Sequence, residues 1–124
     1  MISVIVADDD AAIRSALGLA LKQKLSIENL SEAANMEELL AKAREAGPAL
    51  ILLDWELPGL ATQGGLAMVL RQNPCLKVVA LSARPEARQA AMAAGADAFV
   101  SKTEPPDTMM KLVDALRVVP PSRK

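Results

Sequence analysis

The stretch "ALILLDWELPG" (residues 49–59) decides the fold of this chain. Leu50, Ile51, Leu52 and Leu53 form an unbroken apolar run of strand length, and Pro58-Gly59 then marks a turn. Strands exposed on one face alternate apolar with polar residues. A continuous run belongs to a strand covered on both faces, as in a parallel sheet. Asp54 sits directly on the end of that run. An unpaired carboxylate prefers bulk water, so its place at the rim of a core needs a reason.

Outward from residue 54 the same pattern recurs. "ISVIVA" (2–7), a weaker "LSIENLSEAAN" (25–35), "KVVALS" (77–82) and "ADAFVS" (96–101) are the other strand-length runs. Between them lie helix-period segments. Ile13, Leu17, Leu21 and Leu25 recur every four residues along a helix over 11–24, with Asp10 as N-cap. Asn35 caps a second helix carrying Met36, Leu39, Leu40 and Ala43, which "AGP" ends. "LAMVLRQN" (66–73) is a short third helix after the loop "WELPGLATQGG". The fourth spans 85–95, with Pro85 in its first turn and Gly95 past its end. The last, 105–119, carries Met109, Leu112, Val113 and Leu116 and stops at Pro120-Pro121. Five βα units in succession predict an α/β fold, a doubly wound parallel sheet flanked by five helices. The expected domain is 1–119, with 120–124 as a tail or linker stub.

Bulk composition narrows the function. The 124 residues suit one core, and 52% of them are hydrophobic, which argues against disorder. Fourteen basic and fifteen acidic residues nearly cancel, so no nucleic-acid surface is advertised; Arg117, Arg123 and Lys124 are a solvated end. The single cysteine, Cys75, makes no intrachain disulfide, and with no histidine in the chain nothing of that kind activates it. The same absence excludes Ser-His-Asp catalysis and histidine-ligated zinc. "MISVIVADDD" is too acidic for a signal peptide, and no apolar run reaches the roughly 20 residues of a membrane helix. The expectation is a soluble, cytoplasmic chain without a membrane partner.

In open parallel sheets, sites form outside the carboxyl ends of the strands. Asp8, Asp9 and Asp10 follow the first strand, Asp54 ends the third, Ser82 ends the fourth and Lys102 follows the fifth. Taken singly, each has an ordinary explanation as a cap, a turn starter or a surface residue. Jointly they bring carboxylates, a hydroxyl and an ammonium to one edge. Carboxylates packed together repel unless a cation joins them, and a hard divalent cation such as Mg²⁺ suits such oxygen ligands. Asp54 beside Mg²⁺ and Lys102 is arranged to attack a phosphoryl group.

From "VIVADDD" through "LLDWELPG" and "VALSA" to "GADAFVSK", the chain resembles the receiver domain of bacterial two-component response regulators, the CheY-like family. The resemblance implies the flavodoxin-like strand order 2-1-3-4-5. It implies Asp54 as phosphoacceptor, with Ser82 and Lys102 assisting. It assigns Mg²⁺ to Asp8, Asp9, Asp54 and the backbone carbonyl of Glu56, and the conformational switch to Ser82 and Phe99. Glu56 and Arg84 match positions that tune phosphoryl loss, and their opposite charges are expected to pair across the mouth and hinder attacking water. The implied donor is a histidine kinase or phosphotransfer protein. Thr103 stands where the family often has proline, as in receivers joined to LuxR-type DNA-binding domains, so DNA enters only through an output domain outside this chain. A homodimer through the fourth and fifth helices fits the family too. The switch aromatic is Phe where Tyr is usual, and "GLATQGGL" looks about two residues longer than its family counterpart. Residues 87–98 include seven alanines, so the fourth helix is expected to be the mobile element. Three rival readings stand beside this one. A mononucleotide binder wants a Ser/Thr/Gly-rich phosphate loop where this chain has three aspartates. An aspartate-nucleophile phosphatase carries its nucleophile on the first strand. A phosphorylation-independent interaction module has no use for the full acid, hydroxyl and lysine set.

Overall fold

The computed structural model describes residues 2–61 and 64–117, so the expected tail at 120–124 lies outside the described residues. Five strands, β1 (Ile2–Ala7), β2 (Ile27–Ala33), β3 (Ala49–Asp54), β4 (Leu76–Ser82) and β5 (Ala98–Ser101), form one parallel sheet. Their order is β2-β1-β3-β4-β5, as expected. The helices are α1 (Ala11–Lys24), α2 (Met36–Glu45), α3 (Gly65–Gln72), α4 (Arg88–Ala94) and α5 (Pro106–Arg117).

Strand alternation divides the core in two. On β1 and β3, Val4, Val6, Leu50 and Leu52 point to one side, where Leu21 of α1 and Met109, Met110 and Val113 of α5 cover them. Ile5, Ala7, Ile51 and Leu53 point to the other, beneath Leu39 of α2, Val69 of α3 and Ala91 of α4. Burial on both faces is why these strands read as continuous apolar runs.

The caps match their sequence signals. Asp10 accepts hydrogen bonds from the backbone N–H groups of Ala12 and Ile13, at 2.9 and 3.2 Å. Asn35 accepts from Glu38 N–H at 2.9 Å, while the Glu38 carboxylate reaches back to Ala34 N–H at 2.7 Å. The α1 stripe buries Leu21 fully but leaves Ile13 37% exposed.

Several boundaries differ from expectation. β2 is shorter than 25–35. β5 begins at Ala98 because Asp97 ties itself to β4 instead, its N–H donating to Val78 O (2.8 Å) and its carboxylate accepting from Val78 N–H (2.7 Å). The fourth helix does not run unbroken from 85. Pro85–Ala87 is a 3₁₀ turn, with Ala87 N–H donating to Arg84 O at 3.0 Å, and α-helical pairing begins only at Arg88.

No side chain caps the start of α4, and Ala91 is its one buried residue, while Met92 is 41% exposed. A helix that buries so little opens locally at small cost. Backbone amides of α4 are therefore expected to exchange with deuterium much faster than those of β3. Equal protection in the two elements, measured by hydrogen exchange and mass spectrometry, contradicts this.

Candidate functional site

The register of the sheet builds the site. Ala7 of β1 pairs with Leu53 of β3, so Asp8 and Asp54 follow side by side on neighbouring strands. Asp54 is in phase with Leu50 and Leu52, Asp8 with Val4 and Val6, and Lys102 with Val100, all residues of the α1/α5 side. Lys102 lines a cleft there with Ile13, Leu17 and Met109. Asp8, Asp9 and Asp54 each offer a carboxylate oxygen, and these atoms lie within 4.8 Å of one another. Lys102 Nζ is 3.0 Å from Asp8 Oδ2 and 3.3 Å from Asp54 Oδ1. Asp8 and Asp54 are buried; Asp9 is exposed. Three carboxylates that close fit a hard divalent cation, with Lys102 offsetting part of their charge.

Neighbouring groups hold these side chains in place. Asp8 Oδ1 accepts from Asp10 N–H at 2.9 Å. Arg14, itself paired with Glu32 at 2.9 Å, donates to the Asp8 carbonyl at 2.7 Å. Asp54 Oδ1 accepts from Glu56 N–H at 3.0 Å as well as from Lys102. The loop after Asp54 is pinned from below: Trp55, Leu57 and Leu60 are all buried in the α2–α4 side of the core. Trp55 N–H donates to Leu81 O at 2.7 Å, and Leu57 N–H to Asp54 O at 3.0 Å. Gly65 closes the loop, where a Cβ would stand 2.7 Å from Leu60 Cα. Lys102 needs no following proline to be positioned. Its N–H donates to Ser82 O at 2.7 Å, and the next turn is tied by the 2.7 Å Ser101–Thr103 hydroxyl pair and by Thr103 N–H on Ser101 Oγ at 3.2 Å.

Ser82 and Phe99 fall on the opposite side of the sheet. Ser82 is in phase with Ala80, and Phe99 pairs with Ala80 across β4 and β5; both Ala80 and Phe99 belong to the α2–α4 cluster. Phe99 points inward, 4% exposed, with the Arg88 guanidinium 5.0 Å from its ring centroid. Ser82 is fully buried, and its hydroxyl donates to Glu56, at 2.9 Å from Oε1 and 2.8 Å from Oε2. Arg84 N–H donates in turn to Ser82 Oγ at 2.9 Å. The expected Glu56–Arg84 pair forms, at 3.3 Å.

Thus Asp8, Asp9, Asp54 and Lys102 come together, while Ser82, Glu56 and Arg84 make an adjoining group and Phe99 lies beneath α4. Sequence reasoning missed the Glu56–Ser82 bond, the Arg14 brace and the burial of Trp55, Leu57 and Leu60. The apolar residues within "DWELPGL" were the available signal for the last of these.

Burial raises the Asp54 carboxyl above its ordinary range, and the charge of Asp8 adds to this; the Glu56 N–H and Lys102 offset it only in part. Burial also works against the Lys102 ammonium, but its hydrogen bond to Asp8 and the charges of Asp54 and Asp8 outweigh that and raise it. Lys102 therefore stays charged at neutral pH. For Asp54 the native state binds its proton more tightly than the unfolded chain does. Stability consequently falls as pH rises from the ordinary carboxylate range through the raised one. In chelator at pH 7, Asp54→Asn is expected to unfold at a higher temperature than wild type, with the gap narrowing as pH falls through that window. A thermal melt in which this variant has no advantage at pH 7 contradicts this.

The response regulator receiver domain family matches residues 4–114 of the chain. The response regulator GacA of Pseudomonas syringae is 31% identical over 121 residues, covering 96% of this chain and 55% of that protein. The response regulator VraR of Staphylococcus aureus is 29% identical over 94% of this chain and 55% of its own. The chain thus spans about half the length of the curated relatives it matches. Among solved structures, the response regulator TrrA of Thermotoga maritima, in complex with Mg²⁺-BeF, superposes with a TM-score of 0.80 at 27% identity. That match covers 94% of this chain and 99% of TrrA. The chain belongs to the response regulator receiver domain family, the phosphoaccepting signal receivers of two-component systems.

Proposed function

We propose that Asp54 is the phosphoacceptor of this receiver and that the chain assists its own phosphorylation. The observation that carries this is the buried Asp54 carboxylate, 3% exposed, held 3.3 Å from the Lys102 ammonium and beside Asp8 and Asp9. Both hydrogen bonds to Asp54 fall on Oδ1, which leaves Oδ2 as the attacking oxygen. Oδ2 forms a bond to phosphorus as the P–N bond of a phosphohistidine breaks, and the imidazole departs with that electron pair. Lys102 stabilises the charge on the phosphoryl oxygens during transfer. Asp8, Asp9, Asp54 and the Glu56 carbonyl are the residues that would hold Mg²⁺, which when bound supplies further charge neutralisation. Ser82 then donates to the phosphoryl group, and the segment from Ser82 to α4 moves together with Phe99. Glu56 and Arg84 stand at the mouth, where their pair hinders the water that would hydrolyse the acyl phosphate.

The donor is a histidine kinase or phosphotransfer protein in this proposal. Residues 1–119 are the receiver in this proposal. The relatives' greater length favours an output domain, DNA-binding as in the LuxR-type class, joined to such a receiver, with α4 and α5 as its pairing face. The chain works in the cytoplasm, where such kinases deliver their phosphoryl groups; among the described residues no helix is long and apolar enough to cross a membrane.

With acetyl phosphate and Mg²⁺, one phosphoryl group per chain is expected by intact mass, none in Asp54→Ala, and none with chelator. Lys102→Met is expected to slow the reaction about 10²-fold. Continuous turnover of a small phosphate ester instead favours a phosphatase, and phosphorylation surviving in Asp54→Ala overturns the assignment. Arg84→Ala is expected to shorten the phosphoryl lifetime measured after desalting; an unchanged lifetime removes Arg84 from the mouth's water barrier.

A further inference from the structure

Glu56 is the residue that joins the two sides of the sheet edge. Its backbone N–H donates to Asp54 Oδ1 at 3.0 Å, and its carboxylate takes the Ser82 hydroxyl at 2.8 and 2.9 Å. A serine has one proton to donate. Here that proton is committed to Glu56, and the oxygen's acceptor side is taken by Arg84 N–H at 2.9 Å. Ser82 is fully buried, while the Glu56 carboxylate that holds its hydroxyl reaches out to solvent on its far side. We propose that Glu56 is a positioning residue that latches the switch hydroxyl in the resting state, and that a phosphoryl group on Asp54 must displace it before Ser82 can donate to that group. This rests on the assignment of Asp54 as phosphoacceptor.

Charge drives the displacement. A phosphoryl group brings about −1.5 to −2 charges at neutral pH. It arrives beside a carboxylate whose own backbone is bonded to the acceptor aspartate, and the two repel. Arg84 gives the displaced carboxylate a destination. Its guanidinium already lies 3.3 Å from Glu56 Oε2, at the exposed outer edge of the mouth. Glu56 thus exchanges a shared bond to Ser82 and Arg84 for one to Arg84 alone. Ser82 then turns toward Asp54, drawing on Arg84 N–H and the segment leading into α4. The latch opposes activation in the resting state, and its release couples the chemistry on the α1/α5 side to the α4 side.

The test uses beryllium fluoride with Mg²⁺ as a non-hydrolysing phosphoryl mimic, so that phosphoryl lifetime does not enter. Binding is read by isothermal titration calorimetry, with the fluorescence of Trp55, the one tryptophan of the chain and the residue after Asp54, as a second readout. Affinity is measured for wild type, Glu56→Ala, Ser82→Ala and the double variant. Glu56→Ala is expected to tighten binding about tenfold, the size of one charge-assisted hydrogen bond that no longer has to be broken. In the Ser82→Ala background, removing Glu56 is expected to change affinity less than about threefold, since no hydroxyl remains to be released. Equal tightening in both backgrounds overturns the latch, because it reports only the loss of a nearby negative charge. No tightening in Glu56→Ala overturns it as well. If wild type and all variants fail to bind the mimic, the phosphoacceptor assignment falls and the latch with it, an outcome separate from the other two.

Discussion

The contact on which the site depends is the Lys102 ammonium set between the carboxylates of Asp8 and Asp54. Its three residues come from the ends of β1, β3 and β5. They meet because parallel strands rise in step, with Ala7 level with Leu53. A slip of one residue in β1 or β3 would turn its acid to the opposite face, against the apolar cluster beneath α2, α3 and α4. The apolar residues behind each acid prevent this. Val4 and Val6, like Leu50 and Leu52, are in phase with their aspartates and fit only against α1 and α5. The two-sided core therefore acts as a ruler that sets where the charges stand, and its rigidity keeps a half-compensated cluster from relaxing into solvent. The raised Asp54 carboxyl is the energetic mark of that constraint. A scaffold selected for stability alone has no use for it.

Much of this was legible in the sequence, because the signals are local. A run such as Leu50–Leu53 declares a strand buried on both faces, and a carboxylate on its end declares itself by contrast. Asp10 and Asn35 declare helix starts through side-chain chemistry with their own next turn. Asp8, Asp54 and Lys102 could be brought together from strand order alone, since backbone register determines where they stand. What escaped prediction is decided by side-chain reach between loops. Arg14 braces Asp8 through its carbonyl, which leaves no trace in residue type. Trp55, Leu57 and Leu60 are buried although no strand or helix period links them, because a loop can fold back on the core at any spacing. The 3₁₀ start of the fourth helix follows from pairing geometry at Arg84 and Ala87, which the proline alone does not reveal.

Strand alternation also sets a problem that the loop after β3 solves. Asp54 and Ser82 end adjacent strands, but Asp54 pairs with Leu81 and so is out of phase with Ser82. The Asp54 carboxylate and the Ser82 hydroxyl consequently belong to opposite sides of the sheet, one with α1 and α5 and the other with α4. No single side chain on either strand bridges them. A residue just beyond the strand does, once its backbone is turned toward Asp54 and its side chain is free to cross the edge. The turn closed by Leu57 N–H on Asp54 O puts Glu56 in that position. Buried Trp55 and Leu57 on either side of it hold the backbone still, so that only the carboxylate has freedom. In the proposed latch, a stiff peptide carrying one movable charge would answer new charge at Asp54 by moving that side chain rather than the sheet. The element downstream, α4, has Ala91 as its one buried residue and no side-chain cap at its start, which is why the proposed latch would need only a small bias at Ser82 to shift it.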